Sequence, residues 1–419
     1  MSAQLRNTFR FPAGFLWGAS TASHQVEGNN RWNDWWELEE SGRLPHRSGE
    51  ACRHFELYES DFDLARSLGH TGHRFSIEWS RIEPREGHFD AAALDHYISV
   101  VRALKVRGLE PVVTLHHFTN PAWFGHRGGW TRADSVRLFR RYVERVAAAL
   151  ASEVRFWITV NEPTVYVMRA FIAGDWPPCK PGSWIQAGLA LRNLCRAHSA
   201  GYAIIHKYRP QAMVGLAHSA PYVVPLAPAR RVDRFAARMR DFVLNALSFR
   251  LLGRPPSRVL DFIGINYYAR QVVRWSARGT ATLVGSEHKD IHCNDGRQFS
   301  ALGWEVYPQG LQETLRRFAV YQIPLIVTEN GIATSDEAQR ASFIEAHVRA
   351  LARAMSDGAN VLGYFYWTLF DNYEWTEGRS AQFGLMAVDT SNQTRIERPA
   401  ARAFEKICRS NSIPMEERP

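Results

Sequence analysis

The sequence predicts one closed (β/α)8 barrel, the TIM-barrel fold, over residues 1–419. Short apolar segments alternate with longer segments of helical periodicity, which indicates parallel strands joined by crossover helices. Eight such strands in a chain of this length favour a closed barrel over an open, doubly wound sheet. No glycine-rich phosphate loop follows any of the strands, and this argues against a nucleotide-binding fold.

Each predicted strand is a short run rich in β-branched and aromatic residues. In chain order the runs are FLWGAS from Phe15, HRFSIEW from His73, PVVTLHH from Pro111, RFWITVNE from Arg155, MVGLAHSAP from Met213, DFIGINYY from Asp261, PLIVTEN from Pro324 and LGYFYWTLF from Leu362. Segments with helical spacing lie between them, for example 91–107, 135–150 and 188–208. No linker or low-complexity segment interrupts this pattern, so we expect a single catalytic domain.

The charge of the chain gives no sign of a polyanionic partner. Fifty-one Lys and Arg against 42 Asp and Glu leave a net charge of +9. The basic residues are scattered, and short runs such as Arg230-Arg231 are interpreted as solvated helix faces, so no nucleic-acid partner is expected. No window reaches the roughly 18 consecutive apolar residues of a membrane span, so no membrane partner is expected either.

The cysteines predict neither disulfides nor a metal site. The five of them, odd in number and far apart, are Cys52, Cys179, Cys195, Cys293 and Cys408. They form no Cys-x-x-Cys pair, which argues against zinc and against a disulfide framework. The N-terminus has no apolar stretch typical of a secretion signal. We therefore expect a cytoplasmic protein without a metal or other cofactor, and the oligomeric state stays open.

Polar and ionisable residues follow almost every predicted strand. In a (β/α)8 barrel the carboxyl ends of the strands form the face on which active sites lie. The residues found at these ends are Ser20, Glu78, His116, His117, Asn161, Glu162, Asn266, Tyr267, Tyr268, Glu329, Asn330 and those from Asp371 to Trp375. A single polar residue at a strand end would be weak support for a functional site. Because many such residues converge on one rim, we expect a functional site there.

Two of these residues are glutamates on strands that face each other across the barrel. Glu162 lies in WITVNEP after the fourth strand, and Glu329 lies in LIVTENG after the seventh. Alone, Asn330-Gly331 is typical of a hairpin turn beside a solvated Glu329. Paired carboxylates, however, suit glycosidic bond cleavage, in which one is protonated and the other ionised. A separation of roughly 5–5.5 Å predicts retention and a wider gap predicts inversion; the sequence does not give this distance.

These motifs resemble glycoside hydrolase family 1, the β-glucosidase and β-galactosidase family of retaining (β/α)8 enzymes. The resemblance extends from FPAGFLWGASTASHQVEG near the start to FGLMAVD near the end, with the motifs in the family's order. It implies that Glu162 is the acid/base and Glu329 the nucleophile. It also implies that the substrates are small β-glycosides or short oligosaccharides, most simply β-glucosides, with β-galactosidase or β-fucosidase side activity.

The same resemblance implies which residues bind the sugar. It assigns hydroxyl contacts to Gln25, His117, Asn161, Glu374 and Trp375. Gln25 and the pair Glu374-Trp375 are similar to residues that hold the outer hydroxyls, and Asn161 to the asparagine that holds the 2-hydroxyl. In TLHHFTNP the matching histidine is His117, not its neighbour.

A second set of residues resembles the family's supports for the nucleophile and the walls of its pocket. Tyr268, with Asn266 nearby, resembles the tyrosine that bonds to the nucleophile, and Arg74 resembles the arginine that keeps it ionised. Trp367 is similar to the platform on which the sugar stacks. Trp304 resembles a wall on the side of the leaving group.

Some positions depart from the family pattern and leave alternatives open. Phe118 stands where many members have Trp, His116 where Tyr or Asn is common, and Gln382 where Arg is frequent. A 6-phospho-β-glycosidase is one alternative, but such enzymes place Ser where this chain has Glu374. A non-catalytic sugar-binding protein on the same scaffold is another, although such relatives usually lose one carboxylate and this chain keeps both.

Overall fold

Parallel strands close into a barrel in the computed structural model, which describes residues 8–253, 255–277, 284–288 and 296–415. The barrel contains eight strands within these ranges. In chain order, β1 to β8 are Leu16–Ser20, Gly72–Ser76, Glu110–Thr114, Phe156–Asn161, Met213–Ser219, Phe262–Asn266, Leu325–Asn330 and Val361–Trp367. Each overlaps one of the eight predicted runs, and β2, β3 and β8 begin one residue before theirs. The predicted barrel is confirmed.

The strand order follows the chain, and β8 pairs with β1 to close the barrel. All carboxyl ends therefore lie on one face. The registers are irregular at two of these ends: between Ile158 and Asn161 on β4 and after Val327 on β7. Bulges at such places change the direction of the side chains that follow. Both irregularities come directly before one of the two predicted catalytic glutamates.

Long helices surround the barrel. In chain order, α1 to α8 are His54–Ser67, Ala91–Val106, Ser135–Leu150, Trp184–Tyr208, Arg231–Asp241, Pro308–Ala319, Glu337–Ser356 and Ala401–Ser410. Aspartates cap two of them: Asp90 accepts from the Ala93 amide of α2, and Asp336 accepts from the Ala338 amide of α7. The helix predicted at 188–208 begins four residues earlier, because Gly188 lies inside its first turns and does not start it.

Shorter elements connect these units. The short helices are Ser23–Val26, Asp34–Glu40, Trp79–Ile82, Ala122–His126, Gly129–Thr131, Pro163–Val167, Met168–Ala173, Phe242–Ala246, Leu247–Leu252, Pro256–Arg258 and Trp375–Glu377. The short strands are Thr8–Arg10 paired with Ser412–Pro414, Met386–Asp389 paired with Thr394–Glu397, and a sheet of Tyr222–Pro225, Arg270–Arg274 and Ser286–Glu287. Among the described helices, none is both long and apolar enough to cross a bilayer.

The barrel interior is a separate apolar cluster. It consists of the buried side chains of Val112, Phe156, Ile158, Ala217, Phe262, Ile326 and Phe365. A larger cluster fills the layer between the strands and the helices. This cluster lies below the strand ends. Protein interiors are packed as densely as organic crystals and have low compressibility, so the cluster forms a rigid support for the strand ends. The polar residues at the rim are therefore held from below.

Candidate active site

Glu162 lies at the carboxyl end of β4 with an unusual backbone conformation. Its φ of 44° and ψ of 58° are left-handed, and its amide donates to the carbonyl of Ala217 on β5 at 2.8 Å. Pro163 then opens a short helix, a position that needs no amide donor. A non-glycine residue in this region is held there by its surroundings at a cost of order 1–3 kcal/mol. The backbone thus fixes the position from which the Glu162 side chain starts.

Glu329 lies at the end of β7, where the chain does not form a hairpin. The Asn330 side chain donates to the carbonyl of Tyr267 and accepts from the Tyr364 hydroxyl, both at 2.7 Å. A Cβ on Gly331 would lie 1.8 Å from the carbonyl oxygen of Trp367, so only glycine fits beside β8. Asn330-Gly331 therefore fixes the end of a barrel strand, and Glu329 is buried with 4% of its surface exposed.

Arg74 and Tyr268 hold the two oxygens of Glu329. Nη1 of Arg74, on β2, donates to Oε1 at 2.5 Å, and the Tyr268 hydroxyl donates to Oε2 at 2.6 Å. Arg74 is fully buried, and it also donates to the Thr328 carbonyl and the Thr114 hydroxyl. Burial raises the pKa of Tyr268 well above its ordinary value, with Glu329 adding to the effect, so the phenol remains a donor. Charge-assisted bonds of this kind favour an ionised carboxylate at Glu329.

Two asparagines connect this group to Glu162. Arg74 donates from Nη2 to Oδ1 of Asn161 at 2.7 Å, and Nδ2 of Asn266 donates to the same oxygen at 3.1 Å. Nδ2 of Asn266 also donates to Oε1 of Glu162 at 2.8 Å. One hydrogen-bonded network therefore contains both glutamates, Arg74 and both asparagines.

The surroundings of Glu162 differ from those of Glu329. Burial is the main cause that raises the pKa of Glu162 far above that of an ordinary glutamate, and the negative charge of Glu329 is the second. Arg74 bonds directly to Glu329 but reaches Glu162 only through the asparagines. Glu162 is therefore protonated at neutral pH. Such an asymmetric pair can give a proton at one carboxyl and present a negative charge at the other.

Glu374, Gln25 and Trp367 form the next part of the site. The Trp367 indole donates to Oε1 of Glu374 at 3.0 Å, and the Gln25 amide donates to Oε2 at 3.1 Å. Burial raises the pKa of Glu374 to about 8, so this carboxyl is largely neutral at pH 7. Oε1 of Gln25 is buried without a partner among the described residues, and a hydroxyl donor is what this acceptor requires.

Aromatic rings of similar orientation lie beside these polar groups. The His117 ring is 5.8 Å from that of Trp367 and 6.2 Å from that of Trp375, with interplanar angles of 12° and 14°. Burial, followed by the nearby charge of Arg74, lowers the pKa of His117 well below its ordinary value. The imidazole is therefore neutral. Trp304 lies farther out, half-buried, with its ring 5.4 Å from Tyr268.

Several predicted strand-end residues lie outside this site. His116 contacts Asn120 at 3.0 Å and packs against Trp130, whereas His117 lies beside Trp367 and Trp375. Glu78 accepts from the hydroxyls of Ser23 and Ser80, which makes it part of a buried structural network. The cysteines 52, 179, 195 and 408 are free thiols, and Cys293 lies outside the described residues. In the described part of the chain, no cluster of His, Cys, Asp and Glu could hold a metal ion.

Two supports of the site, Thr328 and Trp176, were not predicted from the sequence, and Phe118 was singled out only as a departure from the family pattern. Thr328 donates to Oδ1 of Asn266 at 2.6 Å and so orients the amide that bonds to Glu162. Phe118 and Trp176 pack together, 4.7 Å between ring centroids, and both lie against Trp375. Thr328 could have been predicted as a support because it directly precedes Glu329 in the sequence. Trp176 lies in an irregular loop, where no periodicity relates it to the barrel.

The closed barrel, the buried pair of glutamates and the aromatic wall define the class of the protein as a (β/α)8 glycosidase. The chain belongs to glycosyl hydrolase family 1, whose family model matches residues 7–256 and 250–413. The predicted family is confirmed, and with it the prediction that the protein is a glycoside hydrolase.

Relatives of this chain carry several activities in their names. It is 27% identical to beta-glucosidase A of Thermotoga maritima, covering 97% of this chain and 99% of the relative. It is 28% identical to a 6-phospho-beta-galactosidase of Lacticaseibacillus casei, covering 97% and 99%. A solved beta-glycosidase structure from Pyrococcus horikoshii is 38% identical, with a TM-score of 0.91 over 97% of this chain and 96% of that one. Similarity alone therefore leaves the substrate open.

Proposed function

We propose that the protein is a retaining β-glycosidase, most simply a β-glucosidase, which releases terminal non-reducing β-D-glycosyl residues. Glu329 is the nucleophile and Glu162 the acid/base, and residues 1–419 form one catalytic domain. The substrates are small β-glycosides or short oligosaccharides. One observation carries the proposal: the two glutamates share a hydrogen-bonded network, yet Arg74 bonds directly to Glu329 and not to Glu162, whose pKa is raised by burial and by the charge of Glu329.

In the first step, an oxygen of Glu329 attacks the anomeric carbon and the bond to the leaving group breaks. Glu162 gives its proton to the departing oxygen, so the aglycone leaves as an alcohol. Arg74 and Tyr268 orient the attacking carboxylate beforehand. The preorganised network supports this step, since its dipoles need not rearrange as charge develops.

In the second step, Glu162 acts as a base. Formation of the glycosyl ester removes the negative charge of Glu329, which is one of the two causes that raise the pKa of Glu162. With that cause removed the pKa falls, and the ionised Glu162 takes a proton from water. Attack of this water on the anomeric carbon releases Glu329 and a sugar of retained β configuration.

The remaining polar groups suit the hydroxyls of a sugar without a phosphate. Gln25 offers an unpartnered acceptor, Glu374 offers carboxyl oxygens, and His117 offers a neutral ring. Trp367 and Trp375 provide apolar faces for the sugar ring, and Asn161 lies next to the acid/base. Trp304 is the wall for an apolar aglycone. No Lys or Arg among the described residues bonds to Glu374, and a phosphate dianion would need such a cation.

Replacement of Tyr268 by Phe is expected to lower kcat/KM by about 10- to 100-fold, because a hydrogen bond to a charged group is lost. The adjacent Tyr267→Phe variant is the matched control. Its hydroxyl donates to the Tyr307 carbonyl at 2.7 Å, outside the network of Glu329. The kcat/KM of both variants is measured with an aryl β-glucoside. An equal loss in the two would contradict the role of Tyr268.

A panel of aryl β-glycosides tests the substrate directly. We expect turnover of the glucoside, with galactoside and fucoside as slower substrates, and kcat/KM at least about 100-fold lower for glucoside 6-phosphate, given the lack of a paired cation. Preference for the 6-phosphate would establish the 6-phospho-β-glycosidase alternative. Binding without turnover of any member would establish a sugar-binding protein. Proton NMR of the first-formed sugar distinguishes retention from inversion.

A further inference from the structure

Helix α5 presents an apolar stripe to solvent. Val232 and Phe235 are 38% and 51% exposed, and Met239 is half-buried. At about 100° per residue these three side chains lie within a sector of roughly 60°. The side of the helix that carries Ala236 and Ala237 is buried, and both pack in one cluster with Val273. The stripe is therefore not part of the core, although its composition would suit one.

Arginines surround this stripe. Residues 226–253 contain six Arg, two Asp and no Lys or Glu, a local excess of four positive charges in a chain of net +9. Both aspartates have other partners, since Asp233 accepts from the Trp275 amide and Asp241 pairs with Arg317. Arg231 and Arg238 are exposed, and no carboxylate of the described residues forms an ion pair with them.

The same combination continues on α4. The helix Leu247–Leu252 packs against α4, where the Cys195 thiol contacts the Ser248 carbonyl at 3.7 Å, and it exposes Arg250 and Leu251. On α4 itself, Ile185 is 82% exposed. Leu189, Arg192 and Arg196 are exposed too, at spacings of three and four residues that place all four on one helix face. Two helices joined by a packed segment therefore expose apolar side chains beside arginines.

This region flanks the face of the barrel that carries the active site. The strand Tyr222–Pro225 follows the carboxyl end of β5 and pairs with Arg270–Arg274, which follows the carboxyl end of β6. Helix α5 packs on this small sheet. Helix α5 therefore belongs to the connection that leaves the carboxyl end of β5.

We propose that this surface docks on an anionic lipid bilayer. The surface comprises Ile185, Leu189, Val232, Phe235 and Leu251 with Arg192, Arg196, Arg231, Arg238 and Arg250. The apolar side chains enter the boundary between headgroups and acyl chains, and the guanidinium groups bond to lipid phosphates. Unpaired arginines beside aliphatic and aromatic side chains match such a boundary in both charge and polarity.

The docking is peripheral and differs from a membrane span. Helix α5 contains no long apolar run, because apolar and basic residues alternate along it with helical periodicity. An interfacial helix has this pattern and is too polar to cross a bilayer. Arg230 and Arg231 were predicted to lie on a solvated helix face. The structure adds that an apolar stripe lies next to that face on α5.

Sedimentation with lipid vesicles tests the proposal. We expect the whole protein to sediment with vesicles of phosphatidylcholine containing about one third phosphatidylglycerol, and to do so much less with phosphatidylcholine alone. Binding should decrease as salt rises from about 0.05 M to about 0.5 M, because the Debye length shortens. The double variant Phe235→Ser/Arg238→Glu should bind anionic vesicles about tenfold more weakly.

The matched control is Arg102→Glu/Val106→Ser on α2, which changes one exposed Arg and one exposed Val elsewhere. It should bind vesicles like the unmodified protein. Hydrolysis of an aryl β-glycoside and the circular dichroism spectrum show that each variant is folded. Absence of sedimentation with anionic vesicles, or an equal loss in both variants, would overturn the proposal. So would light scattering that shows a dimer dissociated only by Phe235→Ser/Arg238→Glu, since the face would then bind a second copy.

Discussion

Replacement of Glu329 by Gln is expected to lower kcat for aryl β-glucosides by at least about 10⁴-fold. An amide cannot form the glycosyl ester, so the first step of the proposed mechanism is lost. The amide oxygen can still accept from Arg74, whose other bonds go to Thr328, Thr114 and Asn161. The barrel should therefore fold, and steady-state kinetics with thermal unfolding separate the two effects.

The control for this variant is Glu83→Gln. Glu83 is also fully buried and is bonded to the Trp79 indole and to Arg141, but it lies outside the network of Glu329. Its replacement should lower stability and leave kcat nearly unchanged. Turnover of Glu329→Gln within about tenfold of the unmodified enzyme would contradict the assignment of the nucleophile.

A slow substrate gives a direct measurement of the covalent step. A 2-deoxy-2-fluoro β-glucoside with a good leaving group should leave one sugar on the enzyme, because fluorine destabilises the cationic transition state of release. Mass spectrometry of proteolytic peptides should place that sugar on the peptide containing Glu329. A label on the peptide containing Glu162 would reverse the two roles, and no label at all would support inversion.

Most of the barrel could be predicted because strand and helix periodicity repeat eight times. Strand ends such as Asn161 and Asn330 were found from the apolar runs that precede them. The sequence did not predict the small sheet of Tyr222–Pro225 and Arg270–Arg274. Its partners lie 48 residues apart in register and belong to separate barrel connections, so no local pattern relates them. A hairpin turn can be predicted from neighbouring residues, but the pairing of strands from two separate barrel connections cannot.

The candidate site shows the same division. The positions of Glu162 and Glu329 follow from barrel topology, which brings the ends of β4 and β7 to one face, whereas Arg74 was indicated only by the family resemblance. Which carboxyl is protonated does not follow from topology. It depends on the burial of Glu162, on the charge of Glu329 beside it, and on an Arg74 side chain that reaches Oε1 of Glu329 at 2.5 Å but contacts Glu162 only through asparagines. Distances between side-chain atoms are set by the packing of the folded chain and cannot be predicted from the sequence alone.

Replacement of Glu162 by Ala is expected to slow substrates according to their leaving groups. An alkyl or unsubstituted phenyl glycoside needs a proton on the departing oxygen, so kcat/KM should fall by about 10³-fold or more. A dinitrophenyl glycoside leaves without a proton, and its kcat/KM should change by no more than about tenfold. Equal losses for both substrates would contradict the acid role of Glu162.

The pH dependence of this variant provides an independent check. In the unmodified enzyme, activity should be lost as pH rises through the elevated pKa of Glu162, because only the protonated carboxyl can act as an acid. Glu162→Ala has no such group, so the loss due to Glu162 should be absent from its kcat/KM for the dinitrophenyl glycoside. A pH dependence that remains in this variant is expected from Glu374, whose pKa burial raises to about 8.

Azide should restore turnover of Glu162→Ala, since it attacks the glycosyl ester without a base and fits the space left by the carboxyl. The product should be a β-glycosyl azide, formed by a second inversion at the anomeric carbon. With a Glu329→Ala variant, azide would instead attack the substrate directly and give the α product. The configuration of the azide, measured by NMR, thus assigns each glutamate separately. An α product from Glu162→Ala would exchange the roles of the two residues, and Arg74 would then hold the acid/base instead of the nucleophile.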